Sequence, residues 1–95
     1  MLDTSITAMN VAGFIMDDIV EKVNTTIEIS PNCKELNYNL EELNKVISKT
    51  FGINRNIIFS YTVNCSEKNA TVEVNITEKS KEATLFSNLT FFKKF

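Results

Sequence analysis

Asp17, Asp18 and Glu21 fall within about one helical turn of one another, and Glu41 is followed directly by Glu42. Paired carboxylates can hold Mg²⁺ or divide acid and base roles between them. Acids at this spacing are equally what the solvated face of an amphipathic helix carries, and that plainer reading is preferred. Lys45 and Tyr61 remain as lone candidates for catalysis, and nothing in their sequence surroundings marks either. Cys33 and Cys65 are too few for a four-cysteine zinc site and too far apart for a C-x-x-C redox pair. A disulfide between them would close a loop of about 30 residues and contribute roughly 3–4 kcal/mol. In a reducing compartment they are instead two largely buried thiols, and that is the expectation here.

The absences exclude more chemistry than the carboxylates suggest. The chain has no His, so it contains no Ser-His-Asp or Cys-His pair, no imidazole base and no His-containing metal site. Its two Gly residues stand at positions 13 and 52, so neither a P-loop nor a G-x-G-x-x-G turn is present. Function is argued from a site, and none emerges. The protein is therefore read as non-enzymatic, without cofactor or bound metal.

One pattern stands out. Five N-x-Ser/Thr sequons begin at Asn24, Asn64, Asn69, Asn75 and Asn88, three of them within residues 64–77. Twelve Asn and 17 Ser or Thr in 95 residues lead to about two by chance. Asn64, Asn69 and Asn75 are candidate glycosylation sites, on condition that the chain is translocated.

No such translocation is indicated by the N-terminus, which starts Met1-Leu2-Asp3 without a basic region. Its longest apolar run, Val11–Met16, stops at Asp17 and is far below the ~20 residues a bilayer requires. The expected location is cytoplasmic, with the extracellular space as the alternative, and no transmembrane segment is expected. The net charge of −2 does not call for nucleic acid. Residues 1–48 carry eight acids and three bases, whereas residues 49–95 carry four acids and seven bases. That asymmetry suits self-association or an anionic partner, although an uneven solvated surface explains it as well.

The elements that would position these residues follow from periodicity. Leu2, Ile6, Met9, Gly13, Met16, Val20, Val23 and Ile27 recur at four and three, which predicts an amphipathic helix within residues 1–24. Thr25–Ser30 alternates and is β-branched, so it reads as a short strand. Residues 39–52 read as a second helix with Leu40, Leu43, Val46, Ile47 and Phe51 on one face. Asn39 and Glu42 would form its capping box and Gly52 its C′ residue. Residues 56–78 alternate as a hairpin: Ile57, Phe59, Tyr61, Val63 and Cys65 face inward, and the sequon asparagines lie on the wet side or in the turn. Residues 81–95 fit helix or strand, with weak helix formers at Thr84, Ser87, Asn88 and Thr90.

The fold class predicted is a single α+β domain over residues 1–95, in the order α-β-α-β-β-(α or β). About three antiparallel strands, including the hairpin at 56–78, carry helices on one face. The leading functional expectation is an assembly module, a homodimer or other homo-oligomer or the binder of an unknown protein partner. The contact would use Met9, Gly13, Met16 and Val20 of the first helix, or a sheet edge. A secreted or cell-surface glycoprotein domain is the alternative. A nucleic-acid-binding accessory protein, using Arg55, Lys79, Lys81, Lys93, Lys94 and the closing Phe91-Phe92-Lys93-Lys94-Phe95, is the third.

Overall fold

Alternation does set the hairpin. In the computed structural model, which describes residues 2–9, 14–52, 56–79 and 84–95, β2 is Ile57–Cys65 and β3 is Asn69–Lys79. Ile57 and Phe59 of β2 are buried with Ala70, Val72, Val74 and Ile76 of β3, while Ser60, Thr62, Glu73 and Asn75 are exposed on the other side. The register runs from Ile57 opposite Glu78 to Cys65 opposite Ala70. Ser66 closes the turn: its N–H donates to the Asn69 carbonyl at 2.8 Å and its hydroxyl donates to Asn69 Oδ1 at 3.2 Å. Asn56 enters β2 with φ at 51°, a left-handed conformation that Asn tolerates better than most residues.

The last residues form β4 (Thr84–Lys94), antiparallel to β3, which settles the open end of the chain as strand. Buried Leu89 and Phe91 extend the apolar face, and the weak helix formers around them no longer conflict with their element. The first strand, β1 (Leu2–Met9), pairs with the far side of β4 and shifts register between Ile6 and Ala8. The sheet is thus four-stranded, in the order β1-β4-β3-β2.

Two helices cover one face. In α1 (Phe14–Ile29), Ile19, Val23 and Ile27 form a buried row at spacing four. In α2 (Cys33–Ile47), which continues into a π-helical turn over Ser48–Gly52, Leu36, Leu40, Leu43 and Ile47 form a buried row at spacings of four, three and four. These rows and the inward residues of the sheet make one core. Each fully buried aliphatic side chain contributes about 1.5–3 kcal/mol relative to exposure. The architecture is a two-layer α+β fold, as the sequence predicts, with an antiparallel sheet under its helices.

The element order differs, at β-α-α-β-β-β among the described residues. The helix expected within residues 1–24 is divided: residues 2–9 are strand, and α1 begins only at Phe14. Thr4, Ser5 and Thr7 resist a helix, and β4 offers this segment a ladder that local periodicity does not reveal. The strand expected at Thr25–Ser30 is the last part of α1, because Ile27 extends the Ile19–Val23 row into the core and leaves Ile29 67% exposed. Packing overrides β-branched propensity there.

The second helix starts six residues before the expected cap. Asn32 holds that position, its Oδ1 accepting from the Glu35 N–H at 2.9 Å. Asn39 is within the helix instead, and its Nδ2 donates to Ser30 Oγ at 2.9 Å. Ser30 is fully buried and also donates to the Thr26 carbonyl at 2.7 Å, so this pair ties the two helices at their junction. Val46, expected on the apolar face, is 52% exposed.

Candidate functional site

Among the described residues the carboxylates do not converge. Asp18 pairs with Lys22 at 3.0 Å along α1, and Lys45 of α2 reaches Glu42 at 3.4 Å and Glu41 at 4.0 Å. These groups are between 46% and 66% exposed, where such pairs contribute at most about 1 kcal/mol. Among the described residues no group of three or more Cys, Asp or Glu is placed to hold a metal ion. Tyr61 is half-buried beside Phe59, their ring centroids 6.0 Å apart. Burial pushes its phenol above the ordinary value of 10, and the negative charge of Glu41 adds to the effect. A phenol moved in that direction is a poorer base at neutral pH, not an activated one.

Of the four residues expected as a helical contact, the three that are described fall on two elements. Met9 ends β1, Met16 and Val20 belong to α1, and Gly13 lies outside the described residues. Val20 packs against the core. The expected lysine surface is also divided. Lys79 ends β3 beside Thr84, whereas Lys94 lies at the other end of the sheet opposite Asn69. Lys93 Nζ donates to the Ile27 carbonyl at 2.9 Å and to that of Glu28. Arg55 and Lys81 lie outside the described residues. Of the aromatic tail, Phe91 is fully buried, while Phe92 and Phe95 are 44% and 37% exposed.

Two features do come together, around the hairpin end of the sheet. Cys33 and Cys65, expected as buried thiols, are instead joined in a disulfide whose Cα atoms are 6.0 Å apart, within the normal span. Cys33 opens α2 and Cys65 ends β2, so the bond fastens the helix layer to the hairpin. Cys65 is exposed although it follows the inward parity of its strand and lies opposite buried Ala70. A shallow hollow lined by Asn32, Cys33, Lys34, Cys65, Ser66 and Glu67 surrounds the bond.

The second feature is the uncovered face of the sheet. Asn64, Asn69 and Asn75 are all exposed on or beside it. Cross-strand rows run Asn64–Thr71–Phe92, Thr62–Glu73–Thr90 and Ser60–Asn75–Asn88. The face is mainly small and polar, with Glu73 near its centre and Ile58, Phe86 and Phe92 as exposed apolar residues toward its ends. Strand parity makes this face legible from the sequence. The disulfide and the Lys93 contacts depend on separations of 32 and 66 residues, for which the sequence carries no local signal.

No protein-family model matches the chain, and no curated protein and no solved structure matches it. No helix among the described residues is long and apolar enough to cross a membrane.

Proposed function

We propose that the chain is a small non-enzymatic interaction module that works in an oxidising compartment outside the cytosol. The observation that carries this reading is the Cys33–Cys65 disulfide between α2 and the end of β2. Disulfides persist where glutathione and thioredoxin do not reduce them, which moves the reading away from the cytoplasm. The excess of sequons agrees with the same compartment. The lack of His and of a phosphate-binding Gly pattern in the sequence, with no converging carboxylates among the described residues, supports a binding role over a catalytic one. The partner is a protein.

Intact mass spectrometry of protein purified from its own source under alkylating conditions tests the proposal. Alkylation of both cysteines only after reduction supports it. Alkylation of both without reduction sinks it.

A second reading, self-association, is favoured by one observation. β2 is an edge strand of nine residues with no charged residue and no Pro to discourage pairing. A homodimer would form by antiparallel pairing of two β2 edges rather than through the first helix. Sedimentation velocity of wild type and Thr62→Lys decides it. A dimer that becomes a folded monomer on substitution supports edge pairing, and a wild-type monomer at micromolar concentration removes it.

A further inference from the structure

We infer that Asn64, Asn69 and Asn75 each carry an N-linked oligosaccharide, that Asn24 and Asn88 do not, and that sugar covers the β2–β3 half of the open face. This inference rests on the extracytoplasmic reading above. The reaction joins the Asn Nδ2 to the anomeric carbon of an oligosaccharide donated from a polyisoprenyl diphosphate. A C–N bond forms, the C–O bond to the diphosphate breaks, the diphosphate leaves and Nδ2 gives up one proton.

The fold separates the five sequons. On a β-strand, residues i and i+2 share a face, so the Asn and the hydroxyl of a sequon emerge on the same side. Asn75 and Thr77 lie in this way on the open face, with Ser60 as a small neighbour in β2. Asn69 starts β3 beside the turn, and its Oδ1 accepts from Ser66 Oγ at 3.2 Å while Nδ2 is the atom the sugar needs. Asn64 is exposed next to Cys65, at the rim of the sheet. None of the three has to leave the core to accept a glycan.

Asn88 differs in two respects. It is half-buried on β4, between β1 and β3, and it stands directly opposite Asn75. Directly opposed residues have Cβ atoms about 4.5–5.5 Å apart, which leaves no room for two sugars side by side. Asn24 is half-buried within α1, whereas the three asparagines of the hairpin are exposed. Phe92 shares a row with Thr71 and Asn64, so glycans on Asn64 and Asn69 would shade an aromatic ring that the fold leaves 44% exposed.

The test uses protein from its own source, digested without reduction, and treated with peptide N-glycosidase in heavy-oxygen water. Each occupied Asn then becomes labelled Asp, and the Cys33–Cys65 bond is read from the same peptides. Label at Asn64, Asn69 and Asn75 and none at Asn24 or Asn88 is expected. Label at Asn24 or Asn88, or its absence from any of the three, overturns the map. An intact disulfide with no label anywhere overturns glycosylation while the compartment stands. Free thiols with no label overturn both.

Discussion

Lys93, near the end of the last strand, donates its ammonium to the main-chain carbonyl of Ile27, 2.9 Å away, in the last turn of the first helix. It also reaches the carbonyl of Glu28. α1 has no basic residue of its own in that turn, so β4 supplies the cation that its terminal carbonyls and negative dipole end favour. Lys93→Met keeps the aliphatic stem and removes the charge. It is expected to lower stability by about 1–2 kcal/mol, read as a shift in the urea midpoint with an unchanged slope.

Joining Cys33 to Cys65 closes a separation of 32 residues, which restricts the unfolded chain by about 3–4 kcal/mol. The double variant Cys33→Ser, Cys65→Ser is expected to lose that amount in urea titrations. Reduction of the wild type should reproduce the loss, and the variant itself should be insensitive to reductant.

Ser87 is buried on the helix side of β4, and its hydroxyl has no hydrogen-bond partner among the described residues. An unmatched buried hydroxyl costs about 1–3 kcal/mol. Ser87→Ala is therefore expected to leave the protein as stable as wild type or up to about 1 kcal/mol more stable. A loss would mean that the hydroxyl is satisfied after all.

The Tyr61 phenol sits above its ordinary value of 10 through burial first and Glu41 second. The folded protein thus holds that proton more tightly than the unfolded chain does. Its contribution is complete below pH 10 and falls as pH rises through the folded value. Stability measured in urea from pH 9 to 11 should decline more steeply for wild type than for Tyr61→Phe.

Asn32 is the N-cap of α2, with its side chain on the Glu35 N–H. Asn32→Ala is expected to cost about 1 kcal/mol. Asn39→Ala acts differently, because it removes the donor to buried Ser30 where α1 meets α2. Comparing the two variants in urea separates the capping residue in the structure from the one that spacing suggests.

What was legible followed from parity and from rows at spacings of three and four. Ile57 and Phe59, Val72, Val74 and Ile76, and Leu40, Leu43 and Ile47 occupy the sides their spacing assigns. Leu2 and Ile6 fit a helical stripe on paper, yet their segment pairs with β4 more than 80 residues later. Ile27 was readable both as a strand residue and as the next step after Ile19 and Val23, and only the core chose between them. Of the candidate site, the polar face was visible because every second residue declares it. The cysteine pairing was not, since it depends on where α2 begins, and capping-box spacing pointed to Asn39 whereas Asn32 holds the cap.

The position of β4 in the sheet has a consequence for biosynthesis. Among the described strands, β4 is made after the others yet lies between β1 and β3, so two of their three ladders await it. While residues 84–95 are still within the ribosome, β1 has no neighbour and Val72, Val74 and Ile76 lack one flank of their sheet. Completion of the native sheet thus waits for residues 84–95, and a product terminated before them should be recognised as unfinished by chaperones and proteases rather than accumulate as a partial domain.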